Sequence, residues 1–543
     1  MKKTTRILAF TSATLLAATS LFACGKQTVS DDENTLEIYV TELGNGKKWL
    51  EEMETVFETE NPDIDIVITS DKGVELAVNK VLSGPKVNTA DLMFTSEDWE
   101  GTVLKGASAV EGYEYALADV TGFLETEIEG VKLKDKFRDY SLKSRGIEME
   151  AFDYEPHYFT LPDFAGAQGI IYNLSLFEEK GWAIPRTTNE LIALCKTVTD
   201  AGYIAFCNDS TTGYTGYLPR ILWGQYDGAE YYYEYISPNS EDDWFEYSTN
   251  PSSKGRLYAT IVAEDLFSKD AGFVSPTIQQ DDFARAQGRL IAGEGAMAIN
   301  GSWFDNEMSL AIKQGNEQGN NYKTGMMKTP IISCIVDKLD FWSKEYNRSY
   351  YESIGDGAIS PMIDVFDNYL ADIVDYVDGK TAEMPAITIG TNVYTATETD
   401  ISLIKEARSC YDTVLGKGGI VIPSYAKAKN AAFKFLEFFY SDRGSEIIID
   451  NLNGGLSAVK YDYTKWSGYT TATQFQKDVF DIISNGTPIS IAVGRYYGLP
   501  GVKSNFFTYS KTDSRYQTAE QSWTQSCWSK QEFIDFMISA GLM

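Results

Sequence analysis

The chain has 543 residues, with 78 acidic side chains against 47 basic ones, a single histidine and a formal net charge of −31. Its 43% hydrophobic and 23% charged content suits a folded protein, the length calls for two or more domains, and the acidity argues against partnership with nucleic acid or charge-driven membrane binding. One imidazole removes most histidine chemistry and multi-histidine metal sites, while 10 Trp, 34 Tyr and 28 Phe suit ligands rich in hydroxyls and poor in charge.

Residues 1–23 read as an export signal: Lys2, Lys3 and Arg6 precede an apolar stretch over 7–22, and small Ala23 precedes Cys24. The run is too short and too rich in Ser and Thr for a membrane span. Residues 21–25 (LFACG) resemble a bacterial lipobox, which makes Cys24 the expected lipidation site and 24–34 a polar tether. The six cysteines contain no CxxC pair and do not form a disulfide framework. Buried free thiols are the expectation, with Cys195–Cys207 or Cys334–Cys410 as the bridges that could form.

After the tether the pattern alternates. Leu36, Ile38 and Val40 have strand spacing, and Trp49, Met53, Val56 and Phe57 share one helical face that ends at Asn61-Pro62. A strand over 64–68, a helix over 74–82 and a strand over 91–94 follow, so the start reads as a doubly wound α/β unit. Ligand crevices in such sheets lie beyond the carboxyl ends of the strands, here the loops 41–47 and 95–101. A second α/β stretch begins near 170–172. Thr187 and Glu190 predict a capping box for a helix carrying Leu191, Leu194 and Val198, followed by a strand over 203–206. A helix with Phe283, Leu290 and Ile291 inward leads into a strand over 296–299 and the turn 300–302. Ala431, Phe435, Phe438 and Phe439 line a late helix that stops at 441–444, and residues 333–415 read as an inserted subdomain with a helix around 366–377.

Four blocks in this order, residues 49–68 (WLEEMETVFETENPDIDIVI), 161–191 with its Tyr172-Asn173, 288–303 (GRLIAGEGAMAINGSW) and 419–449, resemble the bacterial extracellular solute-binding protein family 1, the sugar-binding lipoproteins of ABC importers. The resemblance implies an α/β periplasmic-binding-protein-like type II fold: two interleaved lobes joined by hinge strands, with 35–162 and 329–453 as lobe one and 163–328 and 454–543 as lobe two. It also implies a carbohydrate ligand, ABC permease subunits as partners, a monomer, no cofactor, and a location at the outer face of the cell membrane through the lipid anchor only.

A sugar ring offers an apolar C–H face and a rim of hydroxyls, which aromatic rings and carboxylate or amide groups can meet. Trp303 matches the stacking tryptophan of the maltose-binding branch; a core tryptophan at a strand end is the competing reading. Asp98 and Trp99, after the third strand, stand where that branch places an acidic hydroxyl acceptor. Glu42 follows the first strand, and Tyr214, Tyr217 and Trp223 cluster where the branch supplies another ring, with packing as the alternative for each; Tyr217 and Trp223 are carried forward as ligand contacts.

Gly293 to Ala298 spells G-x-G-x-x-A, but it follows a helix and precedes a strand, the reverse of a dinucleotide fingerprint. His157 reads as an exposed structural histidine. The expected function is a non-catalytic binder for a sugar or oligosaccharide. A secreted glycoside hydrolase, which needs two carboxyls astride one bond, and a binder of another solute such as a peptide are the alternatives.

Overall fold

The computed structural model describes residues 33–42, 44–71, 76–95, 110, 112–143, 145–147, 155–210, 213–236, 254–345, 356–413, 419–489, 509–519 and 521–522. Strand β1 (Thr35–Thr41), helix α1 (Lys48–Glu60), strand β2 (Asp65–Asp71) and strand β3 (Leu92–Thr95) build the first lobe. β1 runs parallel to both β2 and β3, so the expected parallel unit forms. Trp49, Leu50, Met53 and Phe57 of α1 are all buried, and the Trp49 indole meets Phe94 edge-on at 5.0 Å. Alternating strand spacing and i, i+4 helix spacing here bury one continuous apolar face.

The chain leaves this lobe through β4 (Phe164–Ala165) and enters β5 (Ala167–Asn173), the centre of the second sheet. All seven residues of β5 are buried, as expected for a strand covered on both faces. The second lobe continues with β6 (Ile204–Phe206), α2 (Tyr217–Asp227), β7 (Gly295–Gly301) and β8 (Thr324–Met327), then α3 (Asp356–Val377), α4 (Glu398–Ser409) and β9 (Cys410–Thr413). The chain then returns: β10 (Gly419–Val421) pairs antiparallel with β3, and α5 (Lys429–Phe439) packs Phe435 and Phe439 into the first core. It crosses once more at β11 (Leu456–Ser457), which pairs with β4, and closes the second sheet with α6 (Gln474–Asn485) and β12 (Thr487–Ile489). The strand orders are β10-β3-β1-β2 and β12-β9-β5-β7-β6, with β8 also on β5.

The expected lobe boundary at 329 needs correction. Ile331, Ile335, Leu339 and Phe341, together with Phe366, Leu370, Ile373 and Val374 of α3 and Ile404 of α4, share a core with Leu191, Leu222 and Met297. Their apolar faces cover the second sheet, so the described residues of 331–413 belong to lobe two and the first lobe resumes at β10. Of the region after 454, Ala458 and Val459 pack in the first core, while Tyr463 and Phe475 pack against the second sheet.

Two local expectations also change. Phe283 is exposed rather than inward. Thr187 Oγ1 accepts from the Glu190 amide, but the Glu190 carboxylate accepts from the Arg186 amide, so only half of the capping box forms. The late helix stops at Phe439 as expected, and Ser441 then caps a further helix over Asp442–Asn451. Cys195, Cys207, Cys334 and Cys410 are free thiols, so neither bridge is present.

Candidate functional site

β7 and β1 end at the same junction between the lobes. β7 terminates at Gly301, and a turn then presents Trp303, which is half-buried. A Cβ on Gly301 would lie 2.0 Å from the Trp303 ring, so only glycine lets the indole lie across the end of the strand. From the other lobe, the loop after β1 brings Gly44 up to the same indole: a Cβ there would be 3.2 Å from Trp303 Cδ1. Asn306 Nδ2, one helical turn beyond Trp303, donates to the Gly44 carbonyl at 2.5 Å. Glu42 lies half-buried in this loop, its backbone amide tied to Asp71 O at 2.7 Å.

Lobe two adds a row of rings beside Trp303. Tyr214 lies 6.0 Å from it at 68°, and Tyr217 lies 5.4 Å from Tyr214 at 31°. Burial holds the Tyr214 phenol above its ordinary pKa, with the Glu307 charge adding to the rise, and burial likewise raises Tyr217. Both therefore stay neutral hydroxyls that can donate as well as accept. The row ends at Arg220, whose guanidinium sits 4.9 Å over the Tyr217 ring and donates to Asp412 Oδ2 through Nε at 2.8 Å, with Nη2 at 2.6 Å. Asp412 lies on β9 opposite Gln168 of β5, which itself faces Gly301 of β7, so the strand register sets the spacing between the Arg220 pair and the tryptophan.

Behind this surface, Asp305 stands two residues beyond Trp303 and is half-buried. Desolvation raises its carboxyl to about 6 despite a bond accepted from Thr324 Oγ1. Asp209, which is buried, and Glu307, held by Gln287 Nε2 at 3.0 Å, contribute further negative charge near Tyr214.

Of the residues expected at the site, Tyr217 and Trp303 are linked through Tyr214, and Glu42 lies in the loop whose Gly44 meets Trp303. Trp223 lies elsewhere. It is 8% exposed in the core of lobe two, meets Tyr232 edge-on at 4.9 Å, and its Nε1 donates to Asp227 Oδ2 at 2.8 Å. Tyr217 and Trp223 are six positions apart, which turns them about 120° from each other around α2. Asp98, Trp99 and Cys24 lie outside the described residues. Sequence reasoning missed Gly44, Arg220, Asn306 and Asp412. Arg220 carried one signal, its place three residues beyond Tyr217 on the same helical face. His157 pairs with Asp119 at 2.5 Å, at a distance in the fold from the aromatic row.

The rings of lobe two and the glycine-containing loop of lobe one thus meet at the junction of the two α/β lobes. The model of the bacterial extracellular solute-binding proteins matches residues 41–446. The chain belongs to that family. Among solved structures, this solute-binding protein is similar to the ABC substrate-binding protein Lmo0181 from Listeria monocytogenes in complex with cycloalternan. The identity is 16%, with 93% of this chain and 99% of that one covered and a TM-score of 0.54. It is also similar to a structure from work on xylan utilization by the thermophilic bacterium Caldanaerobius polysaccharolyticus, at 15% identity, 92% and 96% coverage and a TM-score of 0.51. These likenesses show a shared two-lobed fold. Among the described residues, no helix of the solute-binding protein is long and apolar enough to cross a membrane.

Proposed function

We propose that this solute-binding protein captures a sugar or oligosaccharide between its lobes and delivers it to the permease of an ABC importer, without catalysing a reaction on it. One observation carries the reading: the row Trp303, Tyr214 and Tyr217 on lobe two meets the loop of Glu42 and Gly44 on lobe one. Ring faces suit the C–H face of a pyranose, and the two phenols and Glu42 suit its hydroxyls. A ligand that touches both lobes favours the closed arrangement over the open one, which gives a permease a shape to recognise. The cycloalternan in the Listeria complex supports a carbohydrate as the solute.

In this reading Asp98 and Trp99 add a hydroxyl acceptor and a second platform from lobe one. The mature chain is held at the outer face of the membrane by lipid on Cys24 and works as a monomer. A thermal-shift screen against mono- and oligosaccharides tests the ligand class, because a solute that binds only the native state raises its melting temperature. A glycan that raises it and is recovered intact after long incubation supports the binder. Steady release of cleavage products supports a hydrolase, and a response to peptides alone removes the sugar.

A further inference from the structure

Lobe two holds a second cavity, of about 360 Å³, that contains none of the aromatic row. β8 and β9 both pair with the edge of β5 that faces away from β7, β8 at residues 170–173 and β9 at 167–168. The two strands leave a wedge between them, and the cavity fills it. The ends of α3, α4 and α6, at Val377, Ser409 and Asn485, converge on the same space.

The lining carries charge of both signs. Lys328 pairs with Asp481 at 2.8 Å, and buried Arg408 pairs with Asp378 at 2.9 Å while also donating to the Thr329 carbonyl at 2.9 Å. Each of these cations is thus matched by a carboxylate. Lys405 is exposed at the rim and has no ion pair among the described residues. Its ammonium is an unmatched positive charge, strongest for a carboxylate. The three helix ends set a partial negative charge beside it, Ser409 lying one turn beyond Lys405 on α4, and this favours an ammonium next to that carboxylate. Met326, Met327 and Ile482 supply apolar wall.

We infer that this cavity is a second solute site, for a free α-amino acid with an aliphatic side chain, whose carboxylate meets Lys405 and whose ammonium meets the converging helix ends. The volume falls within the range of small-molecule pockets, about 300–1,000 Å³. The site is separate from the sugar cleft and does not rest on that reading.

Calorimetry with leucine, 3-methylbutylamine and 4-methylpentanoate as probes tests it on the full chain. Leucine is expected to bind saturably, with both single-charge analogues weaker by about tenfold or more, the usual loss for a hydrogen bond to a charged group. Lys405→Ala should weaken leucine by about tenfold, and Trp303→Ala should leave it unchanged. Lys405 is exposed, so its variant keeps the fold. Absence of saturable leucine binding overturns the inference, and so does 4-methylpentanoate binding as tightly as leucine. Loss of leucine binding in Trp303→Ala with no change in Lys405→Ala places the amino acid in the cleft; this overturns the second site and, separately, counts against sugar as the cleft ligand.

Discussion

Two tryptophans on lobe two, Trp303 and Trp223, belong to the same residue type and were expected at the same site, yet the fold uses them in opposite ways. Trp223 sits inside the core, its ring against Tyr232 and its N–H on Asp227. Trp303 stands at the end of β7, half-buried, with one lobe beneath it and the loop of the other lobe beside it. The difference comes from what surrounds each ring. α2 is covered by the helix Lys254–Phe267 on the side that carries Trp223, whereas the strand end that carries Trp303 faces the loop of the other lobe. Burial under a covering helix marks a packing residue; glycines that clear a ring's face mark one kept for something else.

The comparison breaks most visibly at Trp223. Trp223→Ala should cost about 3–5 kcal/mol of stability through the cavity it leaves, while the folded fraction keeps its solute affinity; denaturant unfolding and calorimetry on the same sample check both halves. Arg220→Ala should cost about 2 kcal/mol, because fully buried Asp412 loses its cation, and Arg220→Lys should recover only part of this in thermal unfolding, a point charge replacing a planar fork.

Acidity gives the next test. The Asp305 carboxyl titrates at about 6, above its ordinary value of 3.8. Between these values the native state binds more protons than the unfolded one, so this group's contribution falls as pH rises through that window. Asp305→Asn should therefore gain stability relative to the parent on going from pH 4 to pH 7, by about 1–2 kcal/mol, as read from unfolding at both pH values. The smallest effect is expected at the junction itself. Asn306→Ala removes one bond between the lobes, worth about 1 kcal/mol, and should shift small-angle scattering of the unliganded protein toward a more open form with little change in melting temperature.

Much of the first lobe was legible in the sequence because its helix and strand periods are clean and bury one face each: α1 shows Trp49, Met53 and Phe57 on one side, and β1 alternates. The stretch 331–413 was not. Its apolar residues are spread over a short helix, a long helix and a hairpin, and nothing local says which sheet they cover; only the assembled core assigns them to lobe two. The site was legible in part for the same reason. Trp303 follows a strong strand and a Gly-Ser turn, whereas Asp412 reaches Arg220 across 192 positions of chain, a juxtaposition that no spacing encodes. Tyr217 and Trp223 looked alike as a cluster, and helical geometry separated them.

The central claim is that a carbohydrate rests on the indole between the lobes. Isothermal titration of the best glycan from the thermal screen into the parent and into Trp303→Ala tests it most directly. The account predicts a loss of about 30-fold or more, equal to about 2 kcal/mol, with the melting temperature of the unliganded variant close to that of the parent. Equal affinity in the two proteins would contradict it.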